Sequence, residues 1–261
     1  MSNNEIVDVV KETPKVLEQV YVDLAQPSVK AVGLALGTVF EFSTSMLLPL
    51  KLLNAKFKLN FAKRLDEYKA KLNAIPEKNR CEVHPQIGTP IIEKLSYTTT
   101  DEIASLFTSL LASASNLDKV NLAHPSFVNM IERLSTDEAR IVQYLKGKQE
   151  IEYCDFRGNL TDDKGFITIL SKATLLNRYI HLDFPSNVSA YLANLVSMGI
   201  LSDMSGLYKV DTSITDQICE YYQLEKIRSN YVPTKYVSID VKRSYFKITE
   251  LGRMFINACV E

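Results

Sequence analysis

Twenty consecutive residues, Ala31 to Leu50, carry a single charge, Glu41, and the stretch that follows, Lys51 to Leu72, carries seven Lys/Arg against two acids. No other part of the chain restricts its fold as much. Coiled as a helix, twenty residues rise about 30 Å, the thickness of the hydrocarbon core of a bilayer. Gly33 and Gly37 have the small-xxx-small spacing that lets two helix backbones approach closely. The following net +5 favours retention of the C-terminal bulk in the cytoplasm, with Lys51, Lys56 and Lys58 nearest to anionic headgroups. Glu41 opposes spanning, because an acid at mid-bilayer costs about 2.5–3.5 kcal/mol, and Ser43, Thr44, Ser45 and Pro49 weaken the segment further. A helix buried in a soluble bundle, or facing another copy, accounts for the same pattern. Both readings stand at this point, with Glu41 making any insertion conditional on a trigger.

The overall balance of 30 bases and 31 acids conceals this local charge, and it excludes a chain that is basic throughout, as a general phosphate-gripping protein is. With 46% apolar and 23% charged residues, the composition is that of a folded chain, not a disordered one. Cys81, Cys154, Cys219 and Cys259 are far apart without a CxxC pair, which argues against a disulfide framework or zinc ribbon. The first thirty residues lack a basic-then-apolar signal pattern. The expectation is a cytoplasmic protein, with peripheral or inserted association at the inner membrane as its sharper version.

Thr13-Pro14 reads as a helix entry, the helix running to about Ala25 before Gln26-Pro27. Asn73 to Pro90, with three prolines among polar residues, reads as a linker. Thr99 to Glu102 fits a capping box, and Ile103, Leu106, Phe107, Leu110, Leu111 and Ala114 then form one apolar helix face. A helix entered at His124-Pro125-Ser126 buries Phe127 and Val128, and Ser135 to Glu138 caps the next. Beyond residue 150, the pattern predicts a helix over 166–182 and another from Ser186 to Gly199. A strand-like Leu207–Val210 follows, then strands at 237–239 and 245–248 and a closing helix from Leu251. That order is the order of a winged helix. The expected architecture is mainly α: an N-terminal helical region over 1–85, a central helical domain over 86–150, and a winged-helix-like α+β part over 151–261.

Chemistry-bearing motifs are sparse. The three His (84, 124, 181) make no helix-spaced metal pair, and neither a Gly-rich phosphate loop nor a Gly-x-Ser-x-Gly elbow occurs. The expectation is therefore no enzyme, no cofactor, no metal and no small-molecule substrate. His124, Pro125, Ser126 and Phe127 invite a proton-responsive reading of His124, but a plain helix entry explains them more simply. The helix in the recognition position of the winged helix, Ser186 to Met198, contains no Lys or Arg. Residues 225–253 carry seven bases against three acids, and Lys235, Lys242, Arg243 and Lys247, with interleaved tyrosines, are the candidates for touching nucleic acid.

The run Ile103-Ala-Ser-Leu-Phe-Thr-Ser-Leu-Leu-Ala-Ser-Ala114, with His124-Pro-Ser-Phe-Val128 and Leu134-Ser-Thr-Asp-Glu-Ala139, resembles the bacterial abortive-infection alpha family. Leu24 to Gly37 and Lys247 to Cys259 are similar to it as well. The resemblance implies defence against phage, in which an infected cell stops growing or dies before phage matures, and it supplies no catalytic residues. The leading reading is a non-enzymatic defence protein that works through a protein partner or self-association and acts at the membrane through its N-terminal helices. A winged-helix nucleic-acid module is the alternative, and an oligomeric helical scaffold packed through Gly33 and Gly37 is the third.

Overall fold

The computed structural model describes residues 55–260, apart from 162, 163 and 233. The expected helix over 13–25 and the apolar segment 31–50 lie outside the described residues. The described residues divide into two compact units, one comprising 55–139 with 254–260 and the other 140–253.

In the first unit the described chain enters through α1 (Ala55–Asn73). Phe61, Arg64, Tyr68 and Leu72 recur at helical spacing, and all four are buried. Part of the expected linker is helix instead: α2 (Pro85–Leu95) starts at a proline, where the missing N–H is harmless, and His84 Nδ1 accepts a bond from the Gln86 amide at 3.2 Å. Next comes α3 (Asp101–Ala114), which is buried around most of its circumference, hydroxyls included. Those hydroxyls are satisfied locally or by neighbours: Thr108 donates to the Ser105 carbonyl, Ser113 to the Ala258 carbonyl, and Ser109 accepts from Lys71. The helix does not take Thr99 as its N-cap. Thr100 is the N-cap residue and makes no side-chain cap bond, and Asp101 instead pairs with Lys63 and Arg64.

Two short helices follow, α4 (Ser126–Glu132) and α5 (Thr136–Tyr144), and the first unit ends at Ala139 within α5. Here the second capping signal closes reciprocally: the Ser135 amide donates to Glu138 at 2.7 Å, and the Glu138 amide donates to Ser135 Oγ at 3.3 Å.

The second unit is built on a four-stranded antiparallel sheet, so the chain is α+β rather than purely α, with helix still the larger share of the described residues. Its strands are β1 (Glu150–Asn159), β2 (Phe166–Ala173), β3 (Leu201–Asp203) and β4 (Ser238–Ile248), in the order β2-β1-β4-β3. The helix expected over 166–182 is therefore strand β2 followed by a short helix, α6 (Leu176–Tyr179). An apolar run this short is ambiguous by periodicity, and Phe166-Ile-Thr-Ile has the β-branched and aromatic content that suits a pleated surface. Helix α7 (Val188–Ser197) matches the expected third helix. Leu207–Val210 is exposed and not a strand.

The two short strands expected at 237–239 and 245–248 are one strand, β4. It pairs with β1 from Glu150–Lys247 to Asn159–Ser238, not with Leu207–Val210 as a wing ribbon would. The basic stretch after residue 225 begins as a helix: α8 (Ser213–Tyr221) and α9 (Leu224–Tyr231) are linked through Gln223 in the left-handed region. One face of the sheet holds the core of this unit, where Cys154, Phe156 and Ile239 meet Ala173, Leu175, Ile218 and Leu224. Gly158 lies on this face because the Tyr236 ring crosses it: a Cβ there would stand 2.6 Å from the ring. The chain closes with α10 (Glu250–Cys259), and the boundary between the units falls within it.

Candidate functional site

Among the membrane or oligomer candidates, Gly33, Gly37, Glu41 and Lys51 lie outside the described residues, and Lys56 and Lys58 sit on α1. The cations further along α1 are already engaged by the protein. Arg64 is only 1% exposed; it donates to Glu67 at 2.7 Å and to Asp101 at 2.8 Å. Lys63 reaches the same Asp101 oxygen at 2.8 Å, and Lys71 donates to Ser109 Oγ at 2.7 Å. Lys63 and Arg64 hold the Asp101 carboxyl below the usual carboxylate range. The +5 counted along the sequence is thus partly spent in fastening α1 to the start of α3. What this half of α1 offers is an anchor, not a free basic stripe.

The His124 motif behaves as a helix entry. His124 Nδ1 accepts from the Ser126 amide at 3.1 Å and lies 2.7 Å from Ser126 Oγ, while Phe127 is buried and packs edge-on against Phe255 at 5.2 Å. The helix begins at Ser126, one residue after the proline.

The four nucleic-acid candidates are not brought together. Lys242 and Arg243 are consecutive on β4, so they point to opposite faces of the sheet. Lys242 lies 3.9 Å from Asp240; Arg243 stacks on Tyr208 with 4.8 Å to the ring centroid. Lys247 is opposite Glu150 in the β1–β4 register, and Lys235 lies over the Tyr236 ring in the segment before the strand. Alternation along a strand disperses charges that a sequence count places side by side.

The sheet face opposite the core carries a polar cluster that sequence reasoning missed. Lys172 has φ +51°, a conformation uncommon for a residue with a side chain. Its amide donates to Asp155 at 2.9 Å and its ammonium to Asp203 at 2.9 Å, close over the Phe246 ring. Tyr153 donates to the other Asp203 oxygen at 2.7 Å, and Arg157 reaches Asp155 at 3.3 Å while lying over Phe166. Burial pushes the Tyr153 hydroxyl upward, so it stays protonated at neutral pH. Tyr153, Asp155 and Arg157 line a cavity of about 310 Å³, and the Arg157 Nε is buried there without a hydrogen-bond partner. The cluster ties β1, β2 and β3 together at the bulged end of β2. Only the tight Asp/Lys/Tyr content of three non-adjacent segments pointed to it, and no local spacing connects those segments.

A larger cavity, about 560 Å³, opens between the end of β2, α6, the start of α7 and the end of α8. Asn177, Tyr221 and Tyr222 line it, and Tyr222 is held by donation to the Thr174 carbonyl at 3.1 Å. No group of His, Cys, Asp and Glu among the described residues has the arrangement to hold a metal. Burial raises all four thiols, Cys154 to about 12, which keeps them protonated and poorly nucleophilic.

Among the described residues no helix is long and apolar enough to cross a membrane. A family model described as abortive infection alpha matches residues 54–259. Nothing among the curated proteins matches the chain. A solved structure of an uncharacterized protein from the hydrocarbon-degrading marine bacterium Alcanivorax borkumensis SK2 aligns at 15% identity, covering 54% of this chain and 94% of that one, with a TM-score of 0.34.

Proposed function

The chain belongs to the abortive infection alpha family, and from that premise we propose that it is a non-enzymatic phage-defence protein whose effector is the apolar segment Ala31–Leu50, acting at the inner membrane. Family membership ties the chain to abortive infection in general. The membrane step rests on one observation: a near-uncharged twenty-residue segment lies a few residues before a helix that Arg64, Asp101 and Glu67 fasten into the folded unit. With Lys63, Arg64 and Lys71 engaged by the protein, Lys51, Lys56 and Lys58, the bases nearest the segment in sequence, are the ones assigned to the headgroups. Glu41 keeps insertion conditional, since its burial in lipid is costly.

The winged-helix nucleic-acid reading has less support. Its candidate cations are divided between two sheet faces and the preceding segment, and its third helix carries no Lys or Arg. Phage plaquing on cells expressing wild-type protein or Leu36→Asp tests the membrane reading. A charge in the segment should abolish protection while leaving the protein folded and abundant; full protection by Leu36→Asp would overturn it.

A further inference from the structure

The cavity of about 560 Å³ lies wholly within the second unit. Its size is that of small-molecule sites, about 300–1,000 Å³, which combine apolar walls with a few placed polar groups. Buried Ala173, Leu182 and Val188 supply the walls. Asn177, on the four-residue helix α6, lines the cavity, and its carboxamide oxygen is buried without a hydrogen-bond partner. An orphaned buried acceptor is costly, and a group that donates to it recovers that cost. Charge is already committed: the Lys172 ammonium is held by Asp203 at 2.9 Å, and His181 lies 3.4 Å from Asp183. Tyr221 packs nearly perpendicular to Tyr222, with 5.0 Å between ring centroids, and is 42% exposed. Tyr222 is pinned by its bond to the Thr174 carbonyl. A planar, uncharged group finds here a carboxamide edge to pair with and a ring to lie against.

We propose that this cavity binds an adenine nucleoside, the base edge on Asn177 and the ring against Tyr221. The unmet group selects the base. A ligand must donate to Oδ1, and the carboxamide presents its own donor, Nδ2, beside that acceptor. Adenine matches both, its N6 amino group donating to Oδ1 while N7 accepts from Nδ2. Guanine and hypoxanthine carry a carbonyl in place of that amino group and leave Oδ1 unmet. Cytosine has an amino group but only one ring, so it offers less surface to Tyr221. Ser186 and Ser189, at the start of α7, add hydroxyls to the lining that suit a ribose. With no uncommitted cation among the lining residues, the cavity holds the nucleoside and does not grip a phosphate. The nucleoside is a ligand, not a substrate, and its binding does not depend on segment 31–50.

Calorimetric titration of the full-length chain with adenosine and with inosine tests the site. Adenosine should bind wild type saturably at or below millimolar concentration, and inosine at least about tenfold more weakly. Asn177→Leu removes acceptor and donor together and should weaken adenosine at least about tenfold. Tyr221→Ala, at an exposed position, should weaken it by a similar factor through lost stacking. Both variants should keep the wild-type circular dichroism. Leu36→Asp should bind adenosine as wild type does, which separates this site from the membrane reading. No saturable adenosine binding to wild type, equal affinity for inosine, an affinity that either cavity variant leaves unchanged, or binding lost in Leu36→Asp would each overturn the proposal.

Discussion

Replacing Gly252 by alanine sets two effects of known size against each other. Alanine for glycine inside a helix is worth about 1 kcal/mol in favour of the variant. Against it, a Cβ at position 252 would stand 2.1 Å from the Ile200 carbonyl oxygen, about 1.3 Å short of ordinary contact. That oxygen cannot swing away freely. Ile200 is fully buried, its amide donates to the Leu195 carbonyl at 3.0 Å, and its carbonyl accepts from the Thr249 amide at 3.1 Å. Relief must come from displacing the start of α10, where Thr249 Oγ1 accepts from the Gly252 amide at 2.8 Å. Losing that cap costs about 1 kcal/mol, losing the Ile200–Thr249 bond about 1 kcal/mol, and residual overpacking at least about 1 kcal/mol. The balance is a net destabilisation of about 2 kcal/mol. With a urea m-value near the top of the usual 1–3 kcal/mol/M range, the midpoint should fall by about 0.7 M or more. Urea titration followed by circular dichroism measures it. An unchanged or raised midpoint would show that α10 does not rest on the Ile200 backbone as described.

Two further outcomes follow from the electrostatics. The Asp101 carboxyl is held below its unfolded value by Lys63 and Arg64, so its contribution to stability is present above the unfolded pKa and is lost as pH falls through the folded one. The wild type should therefore lose stability on acidification below about pH 4, and Asp101→Asn should show a shallower acid limb in denaturation across that window. Second, brief treatment with a thiol alkylator at neutral pH should modify Cys81 and Cys219, which are partly exposed, before Cys154 and Cys259, which are buried. Peptide mass spectrometry reads the order, and early labelling of Cys154 would contradict the core placed on that face of the sheet.

Local signals in the sequence were reliable where the structure uses local physics. The box at Ser135–Glu138 closes as its spacing implies, and the apolar positions from Leu106 to Ala114 are buried. Thr99–Glu102 shows the limit: the helix starts one residue later than the signature implies, with Thr100 as an N-cap that makes no side-chain cap bond. The sheet was poorly legible because β1 finds β4 some ninety residues later, and no periodicity records a partner at that distance. Charge counting failed for a similar reason. It summed Lys63, Arg64 and Lys71 into a basic surface, although one is buried and all three are engaged. On β4 it likewise merged Lys242 with Arg243 across the sheet. The Lys172–Asp155–Asp203–Tyr153 cluster draws on three separate strands, so only the fold assembles it.

The central claim, that the defence response acts at the membrane through Ala31–Leu50, is tested most directly in infected cells. Membrane potential is followed with a voltage-sensitive dye while the protein is tracked by fractionation. Infection should move wild-type protein to the membrane fraction and collapse the potential before lysis, and Leu36→Asp should do neither. Full protection against phage with the potential intact and the protein in the soluble fraction throughout would contradict it.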